Sequence, residues 1–328
     1  MHMHMHDIIS SLVDNVNNKI MNENDNRILD LDITMSGGAF NSNYLVGCLY
    51  LLREMQERKL IRIHRMSSCS ASSLIAFLFL TNNLELFQDK LYEMIIKSFR
   101  KNKTFIFTEL NFQNITEIIK RSLPPDDERT LKIVNKKLYI TYFDVKLRRK
   151  IVKKKYKTVK EIFETIKKSS YIPHITMNEL MYRNRYMDGC TPHIFENGKR
   201  KQRKQLFINM IGKDKIKDSI ILKNDKNGVH KIINGMLDAY YFFFRGCVGT
   251  SMCSYVDNWS YLKNVKYKLL NIISFTFCYL LYFYIFYIKG QLFLYAEHNS
   301  NAIEVKIGMA VFSIFKKLFH TLIEHYCL

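Results

Sequence analysis

Apolar and polar positions alternate with two different periods along this chain. Ile28, Leu29, Leu31, Ile33 and Met35 read as a short strand that a glycine pair, Gly37-Gly38, stops. Tyr44 to Leu52 is apolar at three-to-four spacing and continues through charged residues to Lys59, a helix. Ile61 to Met66 is a second strand, Ser67 to Ser73 a turn of small residues, and Leu74 to Leu80 a second apolar helix. Strand, tight turn and helix thus follow one another twice within about fifty residues, which predicts an α/β fold around a mostly parallel sheet.

Farther along, residues 84–120 read as amphipathic helices and Leu138 to Asp144 as a β-rich strand, with a basic hairpin or edge extension over Lys146–Lys155. Thr158 to Lys168 is a helix with Thr158 at its N-cap and Glu161 placed as in a capping box. Arg185 to Met187 leads into Asp188-Gly189, and Lys204 to Ile211 predicts the last strand. Past residue 213 the composition shifts to Lys and Asp, then to an aromatic helix over Ile232–Phe244. These changes divide the chain into a loose lead-in (1–26, with one short helix at Ile8–Val13), a main domain (27–212) and a mainly helical, hydrophobic C-terminal region (213–328).

Within that last region, 269–288 contains no charged residue. Twenty helical residues cover roughly 30 Å, the depth of a bilayer core. Lys263, Lys266 and Lys268 precede the segment, Lys289 follows it, and Tyr282, Tyr284 and Tyr287 crowd its end. The pattern predicts a membrane segment, spanning or in-plane, with a buried accessory helix as the alternative; if it spans, the lysine excess on its N-terminal side places the main domain on the cytosolic side. The tail from Ile303 to Leu328 reads as an amphipathic helix.

An apolar fraction of 48% supports a sizeable core and excludes global disorder. The formal charge of +20 favours an anionic partner, nucleic acid or an acidic membrane surface. The basic run Lys199–Lys204 lacks the interleaved aromatics of a single-strand binder and reads as a solvated loop, so no specific nucleic acid is expected. Seven cysteines without any Cys-x-x-Cys pair predict reduced thiols in an intracellular protein. No secretory signal is evident at the N-terminus.

Three segments carry candidate chemistry. Ser70 sits in Ser68-Cys69-Ser70-Ala71-Ser72, between a strand and a helix, where a sharp turn presents a nucleophile and requires small neighbours. Gly37, Gly38 and Ala39 sit where backbone N–H groups approach closely enough to hold an oxyanion, just before a helix N-terminus. Asp188 is placed to act as a general base on Ser70 directly, and partial burial would raise its pKa toward that role; in isolation Asp188-Gly189 also reads as a hairpin turn. Gly-x-Gly-x-x-Gly and Gly-Lys-Ser/Thr are both absent, which argues against dinucleotide and P-loop sites. A triad of Ser70 and Asp188 with His193 or His230 fits the chain order of an α/β-hydrolase and stands as the rival arrangement.

Over roughly Arg27 to Ile211 the chain resembles the patatin-like phospholipase family. Gly37, Gly38 and Ala39 match that family's oxyanion-loop glycines, with Ala39 departing and Ser42 at a later glycine position. Ser68 and Ser72 stand for the two elbow glycines, Ser70 for the nucleophile and Asp188 for the dyad base. Tyr44 and Gly47 fall where similar proteins carry Tyr and Gly on the first helix, and Ser170-Tyr171-Ile172-Pro173 resembles the small-residue and proline segment before the aspartate strand. The resemblance implies a three-layer α/β/α sandwich and hydrolysis of phospholipid or other acyl-lipid esters by a Ser–Asp dyad, with no cofactor or metal. The alternative is a catalytically impaired member serving as a lipid-binding scaffold.

Overall fold

The computed structural model describes residues 2–22, 28–102, 107–172, 176, 179, 181–196, 203–212, 215 and 228–283. The elements run α1 (His2–Asn22), β1 (Leu29–Met35), α2 (Ser42–Glu57), β2 (Ile61–Cys69), α3 (Ala71–Leu80), α4 (Tyr92–Asn102), α5 (Glu109–Lys120), α6 (Asp127–Val134), β3 (Leu138–Asp144), β4 (Arg149–Lys153), α7 (Val159–Ser169), β5 (Tyr186–Asp188), β6 (Lys204–Ile208), α8 (Val229–Phe244), β7 (Cys253–Tyr255) and α9 (Tyr261–Phe283).

The strands form one mixed, mostly parallel sheet in the order β4-β3-β2-β1-β6-β7, with β5 paired to β3. β1 pairs parallel with both β2 and β6, and β2 with β3. The outer strands β4 and β7 run antiparallel. β6 is therefore not the last strand, because Cys253–Tyr255 adds β7 beyond it.

Register sorts the side chains into two faces. Leu31, Ile33, Met35, Met66, Leu138, Ile140, Leu206 and Ile208 share one face, fully buried in a single apolar core with α2, α3, α7 and α8. The opposite face carries Asp32, Thr34, Ser67, Tyr139 and Phe207. There Asp32 is buried and forks with the Arg65 guanidinium, whose Cζ lies 4.1 Å from the Phe195 ring centroid. Gln205 pairs with the backbone N and O of Phe195, 3.0 Å each. A buried carboxylate is tolerated on this face because its charge and lone pairs are met.

α2 is buried almost all round, as a helix wedged between a sheet and another helix must be. Its contact with α8 is backbone-close: a Cβ on Gly47 would lie 1.9 Å from Ile232 O, and one on Gly235 1.9 Å from Tyr44 O. α8 and β7, beyond the compositional shift at residue 213, share the core and the sheet of the preceding elements.

The lead-in is not loose over residues 2–22. Met5, Ile9, Val13 and Val16 form a sparse buried stripe along α1 at helical spacing, and Lys19 reaches the Phe244 carbonyl at the end of α8. The Asn-rich face that reads as a flexible tail is the solvent side of this helix. α7 follows expectation closely: Thr158 Oγ1 accepts from Glu161 N–H at 3.1 Å, while Glu161 reaches back to Lys157 N–H at 2.6 Å.

Candidate active site

β2 runs straight through the expected turn and ends only at Cys69, and α3 begins at Ala71. The whole reversal falls on Ser70, held at φ 58° and ψ −141°. An L-residue adopts that conformation only under tertiary constraint. The constraint is visible. Ser70 N–H donates to Ser169 Oγ at 2.9 Å, and Ser169 Oγ donates to Thr141 O at 2.6 Å. Cys69 N–H donates to Ser72 Oγ at 3.1 Å, and that hydroxyl faces Cys69 O (2.7 Å) and Met35 O (3.3 Å). Ser68 Oγ meets Tyr139 O at 3.4 Å. The serines that stand where glycines were expected thus bury their hydroxyls on backbone partners, so the added bulk carries no unpaired polar atom.

Asp188 reaches Ser70 through an edge shared on β3. One edge of β3 is taken by β4. On the other, β2 pairs through Cys69↔Thr141, and β5 continues from Tyr142↔Asp188. β2 and β5 therefore meet end to end, and their last residues bring the hydroxyl and the carboxylate together. Asp188-Gly189 is a strand end, not a hairpin: a Cβ on Gly189 would lie 2.4 Å from Thr141 O. Cys190, at φ 58°, turns its N–H back to Asp188 Oδ1 at 2.7 Å.

The Asp188 carboxyl is buried, and burial pushes its pKa up to about 6; Ser70 and Cys190 N–H as hydrogen-bond donors, and the Lys150 charge, pull the other way. The Ser70 hydroxyl faces this carboxylate but has not closed to the tight geometry of the Cys190 bond. Catalytic hydrogen bonds commonly tighten only when substrate binds.

The loop Ser36–Phe40 lies against the elbow. A Cβ on Gly37 would sit 3.0 Å from Ser70 Cβ, and one on Gly38 2.6 Å from Met210 Cβ. Ser36 N–H donates to Ile208 O (3.0 Å), Met210 N–H donates to Ser36 Oγ (2.8 Å), and Asn41 Nδ2 donates to Met210 O (2.9 Å), so the end of β6 fixes the loop. The Gly37 N–H is turned toward the Cys69 thiol. Among the described residues, neither the Gly38 nor the Ala39 N–H has a backbone acceptor. Ala39 is held at φ 44°, where a glycine would be unstrained.

Several residues at the site escape sequence reasoning. Lys150, within the expected basic edge, turns inward from β4; its Nζ donates to Asn271 Oδ1 at 3.0 Å and to Thr191 Oγ1. Burial lowers its pKa, and Asp188 is among the groups that oppose the shift. Thr191 Oγ1 also bonds Asn271 Oδ1 at 2.5 Å, and Tyr267 Oη donates to Pro192 O at 2.7 Å. Cys190 and Cys278 complete the surroundings of the carboxylate. Strand alternation alone gives Lys150 a face, but only the pairing of β4 with β3 shows that this face is covered.

His193 does not join the pair. Its ring stacks on Tyr139 and meets Phe195 edge-on, and the charges that act on it are Lys150, Arg65, Glu196 and Lys154 rather than Asp188. His230 lies on α8. Of the basic run, residues 199–202 lie outside the described residues, as do Pro173, 284–288 and the tail from Ile303.

No known family model matches the chain, and no curated protein matches it. Among the described residues, no helix is long and apolar enough to cross a membrane.

Proposed function

We propose that this protein is a serine acyl-ester hydrolase acting on lipids, of the patatin-like phospholipase type, with the described sheet as the centre of a three-layer α/β/α sandwich. One observation carries the reading: a serine on a strained strand-to-helix elbow faces a buried carboxylate whose pKa is about 6. A base of that pKa is largely ionised at neutral pH yet stronger than an ordinary aspartate.

In this reading Ser70 Oγ attacks the ester carbonyl while Asp188 takes the hydroxyl proton. The tetrahedral oxyanion is held by the N–H groups of Gly38 and Ala39, joined by Gly37 when it leaves the Cys69 thiol. Collapse expels the alcohol, which receives the proton from Asp188. Water, deprotonated by the same carboxylate, then releases the fatty acid. No step calls for a metal or cofactor. The substrate class places the protein's work at a membrane surface.

The second reading is a lipid-binding scaffold without turnover. The strained Ala39 and the Gly37 amide directed at a thiol are the observations that favour it. Fatty-acid release from phosphatidylcholine micelles and labelling by a fluorophosphonate discriminate the two. The hydrolase reading expects both in wild type and neither in Ser70→Ala. Equal fatty-acid release by wild type and Ser70→Ala would remove it.

A further inference from the structure

The helix α9 is turned inside out. Tyr267, Asn271, Ser274 and Cys278, spaced four, three and four residues apart, form the stripe that faces the protein. That stripe is mostly polar and meets the site: Tyr267 bonds Pro192 O, Asn271 bonds Lys150 and Thr191, Ser274 Oγ turns back to Leu270 O at 2.8 Å, and Cys278 is buried beside Phe143 and Met187. The outward face is apolar. Leu269, Ile272, Ile273, Leu280 and Phe283 are each about half exposed or more. A helix meant for water places these two faces the other way round, and a contiguous apolar face of this kind marks an interaction surface. Lys263, Lys266 and Lys268 precede it, in a chain of net charge +20. An apolar face with lysines at one end, on a helix whose described residues are not long and apolar enough to span, fits the plane of a negatively charged lipid surface.

We propose that the outer face of α9 docks flat on an anionic lipid surface, and that docking draws its inner stripe away from the mouth of the Ser70–Asp188 site. The second half of this proposal rests on the lipid-hydrolase reading. The coupling is physical: the residues that close over Lys150 and Thr191 belong to the same helix whose other side the lipid takes. Freed from Lys150 and Thr191, the helix can sink its apolar face deeper into the headgroup region than it can while bonded to them, so a bilayer favours the state in which Asn271 has left Lys150.

The test uses the full chain with vesicles of phosphatidylcholine, with and without phosphatidylserine. Flotation reads binding, and maleimide labelling at Cys278, located by mass spectrometry, reads departure of the inner stripe. Wild type is expected to float with phosphatidylserine vesicles and to label at Cys278 about tenfold faster there. Ile272→Glu/Leu280→Glu is expected to lose both effects while keeping its thermal melt and its rate on a soluble short-chain ester. Lys266→Glu/Lys268→Glu is expected to weaken binding by about tenfold or more. Binding that the double glutamate variant leaves intact would overturn the proposal. So would a dimer in solution that this variant dissociates, since a second copy would then be the occupant. Cys278 labelling unchanged by bound vesicles refutes the coupling. If vesicles bind through α9 and expose Cys278 while Ser70 neither labels nor turns over ester, docking stands and the hydrolase reading falls.

Discussion

Replacing Asp188 by Asn should inactivate the protein and stabilise it. The carboxyl has a pKa of about 6 in the folded chain against an ordinary 3.8, and burial is the dominant cause. Between those values the folded state holds its proton more tightly than the unfolded state. Stability is therefore lost as pH rises through the window, and the full cost is present above the folded pKa. That cost is about 3 kcal/mol at pH 8, about half as much at pH 5, and close to nil below pH 4. Asparagine carries no charge to desolvate, and its Oδ1 can keep the bond from Cys190 N–H. Imperfect accommodation of its amide near Ser70 trims the gain, leaving Asp188→Asn about 1–3 kcal/mol more stable at pH 8. Urea unfolding of both proteins at several pH values measures this directly. A stability difference that does not change with pH, or a variant less stable than wild type at pH 8, would refute the argument that the carboxylate is held at an energetic cost. Destabilisation concentrated on one group in this way is typical of a residue kept for chemistry.

Three further substitutions follow from the geometry. Lys150→Met should move the acid limb of ester hydrolysis upward by about half to one pH unit, because the ammonium helps keep Asp188 ionised; Lys150→Arg should leave the limb near its wild-type position, and a pH–rate profile separates the two. Ala39→Gly should relieve the φ of 44° and raise the denaturant midpoint, with a gain of up to about 1 kcal/mol after the extra entropy of the unfolded chain. Gly47→Ala should cost about 3 kcal/mol, since its methyl would fall 1.9 Å from Ile232 O and force α2 away from α8; a thermal melt reads the loss.

How much of this was legible depends on whether the signal is local. β3 spans Leu138–Asp144 as its run of β-formers predicts, and Thr158 caps α7 as expected. The Ser70 elbow is legible because a strand, a turn and a helix are adjacent in the chain. Asp188 is harder: Asp-Gly is commonest in hairpins, and only the shared edge of β3 makes it a strand end beside β2. The inward course of Lys150 depends on β3, its adjacent hairpin partner, and on α9, which is remote in sequence. α1 is legible only in part: Ile8–Val13 reads as a short helix, while the flanking His- and Asn-rich residues hide that the stripe runs from Met5 to Val16. The charge-free stretch from Leu269 is legible as unusual, but composition does not say which of its sides faces the protein.

Ser70 and Asp188 lie at the ends of different strands that abut without being joined. β5 is three residues long and is held to the sheet by three residue pairs. Its Met187 packs in a small separate cluster with Phe143, Val145, Met181 and Cys278, not in the large core beneath β1, β2 and β6. Short, weakly tethered elements open at lower cost than the structure as a whole. Warming should thus part Ser70 from Asp188 while the rest of the molecule is still folded, so the ceiling for activity lies below the ceiling for survival, and thickening the core would raise only the second.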